Sequence, residues 1–98
     1  MNFTQDTTGQ AVNGTSLVGY VKTTYARLVE VFGQPTFTND ADAFEKTQAE
    51  WVIVFDNGLV ASIYDWKQYE AGVPQGLYDW HIGGTTEEVV NVVVDALQ

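Results

Sequence analysis

The chain has 98 residues, 45% hydrophobic and 13% aromatic, with no cysteine. That is enough for one hydrophobic core in one domain, and it excludes disulfide frameworks, thiolate metal sites and cysteine nucleophiles. Thirteen acids against four bases give a net charge of −9, which disfavours nucleic acid and anionic membranes, since both are held through cationic side chains.

Residues 1–14 are polar and glycine-containing, without a clear period. They read as a mobile arm or an added edge strand, ahead of a single domain over 15–98. The segment Met1–Val12 has neither a basic start nor an apolar run, so no secretory signal is expected. No apolar stretch approaches the length of a bilayer span, and a cytoplasmic chain is the expectation.

The spacing of Leu17, Val21, Leu28 and Phe32, with Tyr25 and Val29 beside them, predicts a helix over Ser16–Phe32. Thr15 or Ser16 can cap its start. Gly33 and Pro35 stop it, because glycine accepts a positive φ and proline cannot continue a helix. Val21, Thr23 and Thr24 are mediocre helix formers. A polar loop over 35–43 follows.

Glu50–Phe55 and Leu59–Trp66 then read as a hairpin joined at Asp56-Asn57-Gly58. With Asn57-Gly58 as a two-residue turn, Phe55 faces Val60, Ile53 faces Ser62 and Trp51 faces Tyr64. Both faces of that hairpin are largely apolar, so helices should cover one and something else partly shield the other. Residues 67–77 form a loop, Leu77–Ile82 a third strand, and Gly83-Gly84 its break. Thr85 and Glu88 have the spacing of a capping box. It selects a helix to about Leu97 for a valine-rich run whose composition alone also suits a strand. The expected fold is α+β in the order α-β-β-β-α, a small antiparallel sheet of three to four strands packed against two helices.

Motifs for catalysis are weak. A triad drawn from Ser62, His81 and Asp65 or Asp79 matches no nucleophile-elbow spacing, and Ser62 lies mid-strand without a flanking glycine. His81 is the single histidine, which excludes a two-histidine metal site. Asn39-Asp40-Ala41-Asp42 begins like a calcium loop, but Phe44 stands at the next ligand position. Gly83-Gly84 before a helix suggests an anion site, but Glu87 and Glu88 in the first turn would repel the anion. The chain therefore reads as non-enzymatic, without metal or cofactor.

What remains is the acids and the aromatics. Asp40, Asp42, Glu45 and Glu50 cluster ahead of the first predicted strand, and Asp56 and Asp65 lie at strand ends. These six are the expected partner-binding residues. A solvated surface is the simplest use of such acids; they match the charge density of DNA only if they gather on one side. Trp51, Tyr64, Trp66, Tyr78 and Trp80 should be mostly core, and any exposed ring would anchor a protein partner.

Tyr25–Pro35 (YARLVEVFGQP), Glu50-Trp51, Asn57-Gly58, Ile63–Lys67 (IYDWK) and Trp80–Gly84 (WHIGG) together resemble a group of small acidic proteins of tailed bacteriophages, over residues 18–97. The group supplies no catalytic residues. The resemblance implies an inhibitor in the host cytoplasm, of anti-CRISPR or anti-restriction type. Its acids would imitate DNA and occupy a basic surface of a host protein. The alternatives are an assembly protein that dimerises through the hairpin's second apolar face, and a domain that sequesters a small molecule under the aromatic sheet.

Overall fold

A computed structural model describes residues 2–8, 11, 14–38, 49–65 and 76–98. The elements are β1 (Phe3–Gln5), β2 (Ser16–Thr23), α1 (Tyr25–Phe32), β3 (Phe37–Thr38), β4 (Ala49–Phe55), β5 (Val60–Tyr64), β6 (Tyr78–Gly84) and α2 (Glu88–Leu97). The α+β class is as expected, but the described residues form a sheet of six strands, all antiparallel, rather than three or four. Five run in the order β1-β4-β5-β6-β2, and β3 also pairs with β4.

Residues 16–23 are a strand, not the first half of a helix. Leu17 and Val21 are four apart, which suits a helix, but Val21 and Thr23 are buried while Tyr20 and Lys22 are exposed. That is the two-residue alternation of a half-covered strand, and the β-branched residues here suit it. Pairing with β6 satisfies the backbone, with Tyr20 opposite His81 and Lys22 opposite Asp79. The helix begins only after Thr24, whose Oγ1 accepts from Arg27 N at 3.1 Å. Eight residues make a helix too short to stand alone. It is held by buried Leu28 and Phe32 and by Arg27, whose Nε and Nη2 donate to Leu97 O at 3.1 and 2.9 Å. Gly33 ends it as expected, at φ +89°.

Phe3–Gln5 takes the edge-strand alternative, with Phe3 opposite Phe55 and Gln5 opposite Ile53. β3 lies along the same side of β4, nearer its start, with Phe37 opposite Glu50. Between these two short strands, Val52 N donates to Thr36 Oγ1 at 3.0 Å and Val52 O accepts from Asp6 N at 3.0 Å. The Gln5 side chain ties the pieces together: its Nε2 donates to Phe32 O and Gln34 O at 2.9 and 2.8 Å, and its Oε1 accepts from Thr36 Oγ1 at 2.8 Å. Polar groups along this edge are thereby satisfied without one long strand.

The hairpin forms at the expected turn but one residue out of the expected register. Phe55 N donates to Leu59 O and Gly58 N to Phe55 O, both at 2.9 Å, so three residues form the loop and Gly58 sits at φ +88°. This is the turn-plus-bulge closure in which glycine takes the left-handed position. Trp51 therefore faces Ile63 and Ile53 faces Ala61, which puts the large apolar side chains of both strands on one face.

Gly83 and Gly84 do not break β6; they are its last two residues. A Cβ on Gly84 would lie 2.6 Å from Val89 Cγ1, and one on Gly83 2.4 Å from Ser62 Oγ. The glycines thus allow close approach within the sheet and beneath α2. The valine run is helical, yet the capping box does not form: Glu87 is the N-cap and makes no side-chain capping bond. Val89 and Val93, four apart, are the buried residues of α2.

Both helices lie against the face that carries Trp51, Ile53, Phe55, Ala61, Ile63, Trp80 and Ile82. Trp51 and Trp80 meet edge-to-face at 5.5 Å, and their indole N–H groups donate to Gly33 O (2.9 Å) and Thr23 O (3.3 Å). Burying a tryptophan requires such partners.

Candidate functional site

Direct cross-strand partners share a face of a sheet. Phe37 is opposite Glu50, Glu50 opposite Tyr64, Tyr64 opposite His81, and His81 opposite Tyr20. One row of side chains therefore crosses β3, β4, β5, β6 and β2 on the face away from the helices, with Lys22 opposite Asp79 beside it. The His81 ring sits 4.9 Å from Tyr20, edge-to-face, and 5.3 Å from Tyr64, stacked. Around it Tyr20, Lys22, Leu77, Tyr78, Asp79 and His81 line a shallow depression of about 440 Å³. Tyr20 is 54% exposed and Leu77 73%.

Partial burial sets the protonation of the row. It lowers the pKa of His81, against an opposing pull from Asp65. It raises that of Tyr64, with Glu50 and Tyr20 adding to the rise, and it raises that of Glu50. At neutral pH this favours an uncharged imidazole stacked on a protonated phenol. Such a row can stack, donate and accept hydrogen bonds, and bury apolar area.

The six acids singled out in the sequence are not gathered into one site. Asp40, Asp42 and Glu45 lie outside the described residues, as does the Asn39–Asp42 segment. Glu50 stands half-buried in the aromatic row. Asp56 is exposed at the hairpin turn, where its Oδ2 accepts from Asn2 N at 3.4 Å. It is six residues from Glu50, roughly 20 Å along an extended strand. Asp65 is fully buried, and its Oδ1 accepts from Ala49 N at 3.1 Å. It follows Tyr64 and so shares the parity of Ile63, on the helix side, and offers no carboxylate to a partner.

Ser62 is 4% exposed and faces Gly83, whereas His81 faces Tyr64. The hydroxyl thus has little access to a substrate. Among the described residues no three His, Asp or Glu side chains converge as a metal site requires. None of the helices they form is long and apolar enough to cross a membrane.

Sequence reasoning missed Tyr20, because a helix was expected there, and Leu77, because it was expected to lie in a strand. The signal for Tyr20 was the alternation of Tyr20 and Lys22 with Val21 and Thr23. No family model, no curated protein and no solved structure matches this chain, so the functional reading rests on its geometry.

Proposed function

We propose that the chain is a non-enzymatic binding protein that docks on a protein partner through the open face of its sheet, centred on Tyr20, His81 and Tyr64. The observation that carries this reading is the partly exposed aromatic row with Leu77 at its edge. Tyrosines contribute disproportionately to protein interfaces and lose little rotamer freedom on binding. Here cross-strand ring contacts at 4.9 and 5.3 Å already hold them. The uncharged imidazole favoured at neutral pH is cheaper to desolvate than a cation. Lys22 and Asp79 supply a polar rim of balanced charge.

The net charge of −9 favours a second reading, in which carboxylates meet the basic surface of a host defence or nucleic-acid-processing protein, as the phage resemblance implies. Described acids on the helical side, Glu30, Glu87, Glu88 and Asp95, are exposed. The domain is 21 Å across its shortest dimension, while charges are screened over about 8 Å at physiological salt. Acids on the helical side therefore contribute little to a partner seated on the open face, so replacing them tests the second reading without disturbing the first.

Capture from bacterial lysate by the immobilised protein separates them. The first reading expects a specific partner that is lost with Tyr20→Ala or His81→Ala, retained with Glu87→Gln/Glu88→Gln/Asp95→Asn, and held at high salt. Loss on the acidic variant, with release at moderate salt, would favour the second. Capture indifferent to both sets would overturn both.

A further inference from the structure

A second cavity lies on the opposite side of the molecule, between the helices and the β1 edge. It measures about 380 Å³ and is lined by Phe3, Val31, Phe55, Val92, Ala96 and Asp95. That falls within the range of small-ligand pockets, about 300–1,000 Å³. The Phe3 ring meets Phe32 at 5.0 Å and Phe55 at 6.3 Å, both edge-to-face, so one wall is a cluster of aromatic rings. Phe55 is buried while Phe3, Val31, Val92 and Ala96 are half-buried: the cleft reaches from solvent to the core.

We infer that this cleft binds a small amphipathic cation, with an apolar body against the phenylalanines and an ammonium group at Asp95. Asp95 is the single ionisable residue among the described lining. It lies in the last turn of α2, which holds no basic residue of its own. Arg27 already meets the carbonyl end of α2, its guanidinium donating to Leu97 O and pairing with Glu30, so the selection of charge in the cleft falls to the Asp95 carboxylate. Aromatic faces attract cations as well. The carboxylate and the rings thus select positive charge, and the rest of the wall selects an apolar body. This site is independent of the docking face, since no residue lines both cavities.

The test titrates the full chain with n-hexylammonium, hexanol and hexanoate, followed by backbone and methyl NMR. Hexylammonium should shift Val31, Val92 and Ala96 and bind about two- to fivefold more tightly than hexanol, the gain expected from one exposed ion pair. Hexanoate should bind more weakly than either. Asp95→Asn, at an exposed position, should leave the fold intact and bring hexylammonium down to the affinity of hexanol. Shifts that avoid the cleft, equal affinity for hexanoate, or a cation preference that survives Asp95→Asn would each overturn the assignment. So would binding seen only when the ammonium belongs to a lysine side chain of a protein.

Discussion

The two faces of the sheet come from the same strands and the same alternation, yet they are covered unequally. On the helix side Trp51, Ile53, Phe55, Ala61, Ile63, Trp80 and Ile82 are almost wholly buried. On the other side Val52 and Ser62 are buried too, but the row of Tyr20, Phe37, Tyr64 and His81 keeps part of its surface in water. Glycines record how close the covering layer comes. A Cβ on Gly19 would lie 2.7 Å from Val90 Cγ2, and one on Gly84 2.6 Å from Val89 Cγ1, so α2 rests directly on the backbones of β2 and β6. The helix-covered face has little slack, and the row through Tyr20, Tyr64 and His81 on the other face is where substitution is tolerated and recognition can be built.

The largest expected effect tests that contrast directly. Trp80→Ala should lower unfolding free energy by about 3–5 kcal/mol, the usual cost of emptying a buried tryptophan site. Domains have only about 5–15 kcal/mol in total, so this variant should be close to unfolding. Tyr20→Ala on the open face should cost about 1 kcal/mol or less. Urea denaturation of the two variants reads both values. Comparable losses would show that the open face is structural.

A second pair sharpens the comparison at neighbouring positions. Gly84→Ala should cost about 1–3 kcal/mol through overpacking. The new methyl would meet not only Val89 but also the backbone carbonyls of Val60 and Thr86, at 3.2 and 3.4 Å, and backbone cannot step aside. Gly83→Ala meets chiefly the Ser62 hydroxyl, at 2.4 Å. Adding Ser62→Ala removes that atom and should recover most of the loss, whereas Val89→Ala should rescue Gly84→Ala only in part. Thermal melts of the four single and two double variants form the cycles. Equal rescue on both sides would mean that α2 does not press on the sheet as described.

Much of the fold was legible where local chemistry dominates. Gly33 stops α1, Asn57-Gly58 turns the hairpin, and Trp51 and Trp80 are core. What was not legible depends on partners distant in sequence. Leu17, Val21, Tyr25 and Leu28 sit at helical spacing although a strand ends and a helix begins between them, at Thr24. The hairpin register slipped because Asn-Gly serves both two- and three-residue loops, and only Asp56 joining the loop separates them. Gly83-Gly84 reads as a break in any local view; its use as a contact surface depends on Ser62 and Val89. For the candidate site, the acids were visible as a composition and the aromatic row was not. The row needs residues from five strands, and one of them, Tyr20, lay in the misassigned segment. Asp65 is expected to meet a partner as an acid at a strand end, and its parity with Ile63 points inward only once the covered face of the hairpin is known.

The smallest effects should come from titration on the open face, and their signs are the informative part. Burial raises the pKa of Glu50 above its ordinary 4.5, so the folded state holds this proton more tightly than the unfolded state. Its stabilising contribution is full below 4.5 and is lost as pH rises through the folded value. Burial lowers the pKa of His81 below its ordinary 6.5, so the folded state prefers the neutral ring. That contribution is present above 6.5 and is lost as pH falls through the lowered value. Glu50→Gln should therefore gain on wild type as pH rises from 4.5, and His81→Gln should gain on it as pH falls from 6.5. The readout is the difference from wild type at each pH, by urea denaturation, and not the wild-type curve. Opposite slopes would mark the row as half-buried, as the ring contacts of His81 imply. Two flat difference curves would mark it as solvated, and would remove the desolvation argument for an uncharged docking surface.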